Sequence, residues 1–490
     1  MSDGVAEGAV EAGSAADAPS PSPQASNRRS FDRSIVEGPI PSAVWKLAWP
    51  TMLQNVIGGL QGIVDHAMVG HFVGFTGNAA IGVAWQIFLV VIVFITSLFT
   101  GMGVLVARFT GADQPEKVHA TVYQAMLTAA ALSLGVMAPL GWFLAPSLLG
   151  LVNAEPSVQA EALPYLRVMF LFSFGMMMFF MISGALRAAG DARTPLRLAV
   201  VMTVLNGVLN AVLIAGLGPF PAMGTVGAAW GTVIAGAVVT VWALASLVGD
   251  RWVIHFHRGM SLRPDWGIIR ALFRFGLPTG FQGVAMNVGG VLLLRFIGSL
   301  EQSAEAQAAY AVSYTQLFSL ITWTSVGLMG ATAAVAGQNL GAGRPDRTVK
   351  AVRVAAAYGL MVAVVVGSAF VLAPRVLLGV FGIDDVATLD LSAQLLGYLA
   401  VSGLFVTVAL TFTGGLQGTG DTKSPMWISI VSQLVLPLGM LAVIDFTRPL
   451  RPEDVWLAIV LGHICRALLS AVRFGQGDWR EIEVDIGRSG

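Results

Sequence analysis

Twelve long apolar segments run through this chain, and they restrict it to folds that a lipid bilayer can hold. The sequence has 490 residues, of which 55% are hydrophobic and only 11% are charged. A helix needs about 20 mostly apolar residues to cross the hydrocarbon layer. Cuts at charges, prolines and glycines therefore predict twelve membrane-spanning helices. Their approximate bounds are 44–71, 80–108, 118–144, 160–186, 195–217, 224–249, 268–298, 308–337, 348–373, 390–417, 425–446 and 453–473.

The basic residues indicate how these segments are oriented. If the N-terminus is cytoplasmic, 23 of the 28 Lys and Arg residues fall at cytoplasmic ends or loops, as the positive-inside rule requires. Because twelve is an even number, both termini lie on that side. We therefore expect a multi-pass monomer in the lipid bilayer of the cell membrane, inner or plasma. The net charge of zero gives no reason to expect a nucleic acid partner.

Three motifs occur twice at nearly the same spacing. The segment GALRAAGDARTP at 184–195 returns as GGLQGTGDTKSP at 414–425, an offset of 230 residues. Two more pairs have offsets of 230 and 228: RFTGADQPEKV (108–118) with QNLGAGRPDRT (338–348), and LAWPTMLQ (47–54) with FGLPTGFQ (275–282). The repeats predict two six-helix bundles that enter the membrane in the same direction.

The predicted fold class is an all-α integral membrane protein with twelve transmembrane helices in two pseudo-symmetric six-helix bundles. We call these bundles the N-lobe and the C-lobe. Duplicated bundles that move against each other around a central site are common in secondary transporters. The predicted parts are a disordered cytoplasmic tail (1–43), the N-lobe (44–249), a cytoplasmic linker (250–267), the C-lobe (268–473) and a solvated cytoplasmic tail (474–490).

One carboxylate lies at depth in the first predicted helix. An Asp inside a membrane helix costs about 3 kcal/mol on insertion scales, and such residues are usually functional. Asp65 shares a helical face with Gln54, Gly58 and Gln61, because helical neighbours recur every three to four residues. This polar face is expected to line protein or water rather than lipid.

The fifth and sixth predicted helices carry polar side chains at a similar depth. At 1.5 Å per residue, Asp65, Asn210 and Thr232 lie about 9–12 Å from the outer surface. Their carboxylate, amide and hydroxyl oxygens suit a proton or a sodium ion. The predicted ion-coupling residues are Asp65, Asn206, Asn210 and Thr232. Hydrogen bonding between helices is the alternative role for both asparagines.

Several classes of function are disfavoured by what the sequence lacks. The single cysteine, Cys465, excludes an internal disulfide and a cysteine zinc site. The G-x-x-x-x-G-K spacing of a phosphate loop is absent, so no nucleotide partner is expected. We predict no catalytic residue, no metal site and no cofactor. Energy for uphill transport would then come from a gradient of H⁺ or Na⁺.

The motifs and their order resemble those of the MATE family, the multidrug and toxic compound extrusion antiporters. VDHAMVG at 64–70 resembles the family's Val-Asp-Thr-x-x-Val-Gly at the end of the first helix. The segments at 184–195 and 414–425 resemble its duplicated Gly-x-Leu-Arg-Gly-x-Gly-Asp-x-x-x-Pro. GQNLGAGRPDR at 337–347 resembles its Gly-Gln-Asn-x-Gly-Ala-Gly turn after the eighth helix. The resemblance covers residues 44–473.

This resemblance implies a V-shaped pair of lobes that exports amphipathic, often cationic organic compounds in exchange for protons or sodium. The sequence is closer to the branch that includes archaeal and DinF-like members. In that branch an N-lobe site uses a first-helix Asp, a fifth-helix Asn-x-x-x-Asp and a nearby sixth-helix Thr. Asp65, Asn206 and Thr232 match this pattern, but Asn210 stands where the family has Asp.

The other bacterial branch uses acids in the seventh and tenth helices, and these acids are missing here. Met286 and Val406 occupy the corresponding places, and Leu293 is the repeat equivalent of Asp65. The two lobes are therefore expected to differ in function.

Residues that contact the transported compound are predicted from polar and aromatic character. Aromatic rings suit flat cations, although they also anchor helices at membrane interfaces. Gln54 and Gln282 are related by the repeat, and pairing with each other is their alternative role. The predicted substrate-binding residues are Gln54, Gln61, Gln282, Tyr310, Tyr314 and Trp323.

Two other functions remain as alternatives. A flippase for lipid-linked precursors or polysaccharides, from the same superfamily, would need a basic cavity for a diphosphate headgroup. Arg295 and Arg375 lie at outer ends, however, and no Arg or Lys is evident in the middle of a span. A membrane-embedded enzyme would need clustered His, Asp or Glu at depth, where only Asp65 is clearly placed.

Overall fold

Twelve helical segments, numbered α1 to α12, correspond one to one with the predicted spans. The computed structural model describes residues 31–152, 155–249, 251–256, 263–383, 385–484 and 486, and only the backbone at 89–92, 94 and 95. The first six segments are α1 Ile40–Phe72, α2 Phe75–Gly111, α3 Pro115–Leu151, α4 Pro156–Leu171 with Ser173–Ala188, α5 Arg193–Ala215 and α6 Gly224–Val248. The last six are α7 Trp266–Gly298, α8 Ser303–Gly341, α9 Pro345–Leu372, α10 Val386–Thr419, α11 Lys423–Thr447 and α12 Pro452–Gln476.

Most of these segments can cross a bilayer on their own. Among the described residues, nine are long and apolar enough, and the bent pair that forms α4 makes ten. The two halves of α4 meet at an angle of 52°. The other two, α1 and α2, have 33 and 37 residues. Three segments contain a π-helical stretch: Ser133–Met137 in α3, Ala311–Leu317 in α8 and Val431–Val435 in α11.

The duplicated Gly-Asp motif makes the same turn in each half. Gly190 and Gly420 have φ angles of +101° and +106°, a region that favours glycine. The carboxylates that follow cap the next helix: Asp191 accepts from the backbone N–H of Thr194 at 3.0 Å, and Asp421 accepts from that of Ser424 at 3.0 Å. These conformations explain the repeated sequence by local structure.

Separate hydrophobic cores occupy the two halves of the chain. A large cluster, including Leu105, Phe170 and Met181, fills the first half. A second cluster, including Phe318, Leu399 and Trp456, fills the second half. The first core also includes residues of α7, among them Leu272 and Phe275, so α7 packs against the first half as well as the second.

The two halves meet closely at the end of the bundle where α1 begins and α12 ends, which we call the terminal face. There α2 crosses α8 at a pair of repeat-related glycines. A Cβ atom on Gly111 would clash with the backbone carbonyl of Gln338, and one on Gly341 would clash with that of Arg108. Both glycines and both carbonyls are 230 residues apart, so the crossing is symmetric about the pseudo-twofold axis.

The N-terminal segment at 31–39 packs across this crossing. Ile35 is fully buried. Arg344 donates to the carbonyl of Val36 at 2.9 Å, and Arg347 donates to that of Gly38 at 2.7 Å. The predicted disordered tail of 1–43 is therefore too long: α1 begins at Ile40, and residues 31–39 are held by the C-lobe. Residues 1–30 lie outside the described residues.

The C-terminal segment after α12 packs in the opposite direction, against the N-lobe. Trp479 is 1% exposed and stacks on Phe474 at 5.0 Å between ring centroids. Arg108 donates to the carbonyl of Ile482 at 3.1 Å, and Ile486 belongs to the N-lobe core. The expectation of a solvated tail at 474–490 is wrong for these residues, because their apolar side chains are covered by helices of both lobes.

Candidate functional site

Polar side chains of α1, α5 and α6 meet inside the N-lobe. The amide nitrogen of Asn210 donates to Asp65 Oδ1 at 2.7 Å. Asn206 and Asn210 are 1% and 0% exposed, whereas Asp65 and Thr232 are partly exposed. The four residues predicted as ion-coupling residues therefore form one contiguous cluster.

The Asn206 side chain connects Asp65 to α6. The orientation of its amide follows from the surrounding hydrogen bonds. With the nitrogen donating to Asp65 Oδ1 at 3.0 Å, the oxygen accepts from the Thr232 hydroxyl at 3.0 Å and from the Thr232 backbone N–H at 3.2 Å. In this arrangement Asp65 accepts hydrogen bonds from two neutral amides.

Within the described part of the chain, no positive charge balances Asp65. Among the side chains that the structure describes, no Lys, Arg or His forms an ion pair with this carboxylate. The adjacent His66 bonds to Asn78 instead, with 2.6 Å between Nδ1 and Oδ1. The hydrogen-bond partners of Asp65 that the structure describes are therefore neutral amides.

Asn210 fits against α6 only because residue 231 is glycine. A Cβ atom on Gly231 would clash with the Asn210 side-chain oxygen and would lie 3.2 Å from the Asn210 backbone nitrogen. That oxygen is buried and has no hydrogen-bond partner. The amide nitrogen of Asn210 is thus committed to Asp65, while its oxygen remains available as an acceptor.

We expect Gly231→Ala to weaken ion coupling. The added methyl group must push the Asn210 amide away from its present position, and overpacking of this kind costs about 1–3 kcal/mol. Gradient-driven transport by reconstituted protein should fall by about tenfold or more at equal amounts of folded protein. Gly207→Ala is the matched control, because a Cβ atom there meets nothing within 4 Å. Equal loss in both variants would contradict a specific effect on Asn210.

Two side chains near the cluster were missed by the sequence analysis. Tyr165 of α4 is 5% exposed and lies close enough to Asp65 to interact with it electrostatically. Glu161, one turn earlier, accepts a hydrogen bond from the Thr225 hydroxyl at 2.7 Å. The sequence feature that could have revealed both residues is a Glu and a Tyr four residues apart within the fourth predicted span.

Gln61 extends the cluster along α1. Its side-chain oxygen accepts from the Thr203 hydroxyl at 2.9 Å, which ties α1 to α5. Gln54, two turns before Gln61, is partly exposed.

The remaining substrate-binding predictions do not gather on one surface. Gln282 is 6% exposed and donates to the Ser429 hydroxyl at 2.8 Å within the C-lobe. Tyr310 and Tyr314 stack on each other at 4.7 Å. Trp323 packs on α1, where a Cβ atom on Gly59 would clash with the indole ring. Among these residues, Trp323 lies at the contact between the two lobes.

One expectation about charge is wrong. The sequence analysis found no Arg in the middle of a span, and Arg466 is one of the 23 basic residues that it counted at cytoplasmic ends or loops. The structure places Arg466 inside α12, 2% exposed, fourteen residues after Pro452 and ten before Gln476. It lies beside Tyr314 in the C-lobe.

Comparison with known proteins identifies the family. The MatE family model matches the chain twice, over residues 50–212 and 278–441. The chain belongs to the MATE family of efflux transporters. The two matches fall in the two predicted lobes, and they confirm the resemblance that the repeated motifs indicated.

Curated MATE relatives match over nearly the whole chain. A probable multidrug resistance protein NorM of Thermotoga maritima is 27% identical over 439 residues, which cover 89% of this chain and 92% of that protein. The multidrug resistance protein PmpM of Pseudomonas aeruginosa is 26% identical, with coverage of 89% and 91%. Multidrug efflux is therefore the function that the relatives support.

Solved MATE structures share the fold. One is described as the outward-facing conformation of a multidrug resistance MATE family transporter; it is 21% identical, has a TM-score of 0.84, and covers 92% of this chain and 98% of its own. A Pyrococcus furiosus transporter, whose binding pocket is described as having reverse polarity, has a TM-score of 0.82 at 21% identity, with coverage of 92% and 98%. These likenesses confirm the predicted fold of twelve transmembrane helices in two bundles.

Proposed function

We propose that this MATE transporter is a secondary active antiporter that exports amphipathic, cationic compounds in exchange for protons or sodium ions. The observation that carries the proposal is Asp65, a carboxylate inside a membrane helix that is bonded to neutral amides and has no basic partner among the described residues. Such a group can bind and release a cation within the lobe. The role is transport rather than catalysis, and the protein acts as a monomer in the cell membrane.

The orientation follows from the charge distribution. Both termini are placed in the cytoplasm, because most Lys and Arg residues lie on that side. The terminal face, where α2 crosses α8, is then the cytoplasmic face. Its close contacts support an assignment of this conformation as closed toward the cytoplasm.

Asn210 offers a suitable partner to Asp65 whether the carboxyl group is charged, protonated or bound to sodium. A charged carboxylate would accept from the Asn210 amide nitrogen, which lies 2.7 Å from Asp65 Oδ1. A protonated carboxyl group is instead a donor, and rotation of the Asn210 amide would bring its unpartnered oxygen toward that proton. The same oxygen could serve as one ligand of a sodium ion. Either event changes how α1 packs against α5.

Transport requires that this change affects the exported compound. In the proposed cycle, Asp65 takes up a cation while the lobes are open to the outside, and the repacked N-lobe releases the compound. Return to the inward-open state releases the cation and restores affinity. Coupling exists only if the compound binds the two ion states with different affinity.

The test is dye transport by purified protein in liposomes under four conditions. These are a proton gradient without sodium, a sodium gradient without a pH difference, both gradients, and neither. We expect a cationic dye to move against its gradient only when an ion gradient is imposed. Movement with protons alone assigns a proton antiporter, and movement that needs sodium assigns a sodium antiporter. Equal dye movement with no gradient would contradict antiport.

A further inference from the structure

A second charged site lies in the C-lobe, far along the chain from Asp65. Arg466 is 2% exposed and sits about 21 Å from the start of α12 and about 15 Å from its end, at 1.5 Å per residue. A guanidinium at this depth in a membrane protein is costly and is normally paired. Throughout the described part of the chain, no Asp or Glu forms an ion pair with it.

Two hydrogen-bond donors on α12 lack partners at this place. The Nε atom of Arg466 is buried and unpartnered, and so is the hydroxyl of Ser470, which is 0% exposed. Residues four apart on a helix are neighbours on one face, with about 5–6 Å between their Cβ atoms. A buried polar group without a partner destabilises the fold, and a charged one does so more strongly. Two such groups side by side indicate a site for a shared ligand.

The groups described around Arg466 are polar or aromatic. Tyr314 of α8 lies within electrostatic range of the guanidinium. On α12, His463 contacts the Ser402 hydroxyl of α10, with 2.5 Å between Nδ1 and Oγ, and its ring lies 5.9 Å from that of Phe318. The surroundings thus provide polar contacts and aromatic rings, and no Asp or Glu of the described residues pairs with Arg466.

The helix that carries Tyr314 is irregular at this point. Residues Ala311–Leu317 form a π-helical stretch within α8, and such stretches occur frequently at functional sites. This stretch includes Tyr314 and begins next to Tyr310, on which Tyr314 stacks. The local distortion and the unpartnered donors are independent observations at the same place.

We propose that Arg466, Ser470 and Tyr314 form a binding site for a monovalent anion, either a halide or a carboxylate. A guanidinium and two hydroxyl groups are all able to donate hydrogen bonds to one anion. A single positive charge matches a single negative charge, whereas a diphosphate would require more basic groups. The anion supplies the counter-charge that the helices lack.

The anion could come from solution as chloride, or it could be a carboxylate of the transported compound. The second source rests on the proposed export function, and the first does not. If the carboxylate is the ligand, the protein accepts compounds with both charges: a cationic group and an acid group.

Thermal unfolding of the purified full-length protein tests the site without any transport. The protein is titrated with sodium chloride or bromide against sodium methanesulfonate, which is neither a halide nor a carboxylate, at constant ionic strength. A parallel titration compares benzoate with benzamide, its neutral analogue. We expect a saturable rise in Tm with chloride or benzoate in the wild type, since a ligand that binds the native state stabilises it.

Arg466→Met should weaken the apparent anion affinity by about tenfold or more, because the charged donor is removed. Ser470→Ala and Tyr314→Phe remove one hydroxyl each and should weaken it by a smaller factor; they also provide a test if Arg466→Met does not fold. Arg295→Met, an exposed arginine of the same lobe, is the matched control and should bind like the wild type.

Each outcome decides the proposal. Stabilisation by chloride in the wild type but not in Arg466→Met supports a site for free halide, and stabilisation by benzoate alone assigns it to a carboxylate. No anion effect in the wild type, or the same effect in Arg466→Met, would overturn it. Asp65→Asn should leave anion binding unchanged, so failure of the proposed antiport would be recognised separately.

Discussion

Asp65→Asn should reduce gradient-driven dye transport to the rate of protein-free liposomes. Asn has nearly the same shape and can form hydrogen bonds, but it cannot take up a proton or offer a full negative charge to sodium. The change therefore removes the exchangeable cation while leaving the packing of α1 against α5 largely intact. The measurement is dye movement under an imposed pH or sodium gradient, normalised to folded protein in the membrane.

Two further variants help to interpret the result for Asp65→Asn. Asp390→Asn changes an exposed acid of α10 and should transport like the wild type. Asn210→Leu keeps Asp65 but removes the amide that donates to it; loss of a hydrogen bond to a charged group costs about 1.5–3 kcal/mol, so coupling should fall about tenfold or more. A folded Asp65→Asn protein that exchanges dye at the wild-type rate would place the coupling site elsewhere.

Gly111→Ala and Gly341→Ala should shift the transporter away from the closed terminal face. Each added methyl group would clash with a backbone carbonyl of the opposite lobe, and backbone cannot move aside as a flexible side chain can. Overpacking costs about 1–3 kcal/mol, which corresponds to a population shift of about 5–150-fold. The two variants should have similar effects because the crossing is symmetric.

Distances between spin labels across the terminal face report this shift. Labels at Lys117 and Lys350, both exposed, in a Cys465→Ser background would move apart as the face opens. Gly103→Ala is the matched control: Gly103 is also in α2, but a Cβ atom there meets nothing within 4 Å. If the label distances in Gly111→Ala equalled those in Gly103→Ala, the glycine crossing would not control closure.

The N-lobe cluster could be predicted because each residue's place in its own helix is enough to locate it. The position of a polar residue along an apolar helix gives its depth in the membrane and the helix face on which it lies. Asp65, Asn210 and Thr232 shared a depth, and they do lie together. Asn206 followed because it is four residues from Asn210.

Other features could not be predicted because they depend on packing between distant segments. Tyr165 approaches Asp65 from the first half of α4, and α4 bends by 52° between Leu171 and Ser173. Arg466 was counted with cytoplasmic charges, since an Arg near a predicted helix end has the same sequence signal whether it is solvated or buried. The burial of Ile35 and Trp479 could not be predicted for the same reason. Both residues lie in short segments that pack against residues hundreds of positions away along the chain or in another helix.

The exchange of terminal segments between lobes has a consequence for biosynthesis. Ile486 forms part of the hydrophobic core of the N-lobe, and Ile482 is bonded to Arg108. When a ribosome has inserted the first six helices, that core is still missing side chains encoded some 230 residues later. The N-lobe is thus completed only after the C-lobe has been made. A chain released early would leave apolar side chains of the N-lobe uncovered at the terminal face, and exposed apolar surface makes an incomplete protein prone to aggregate.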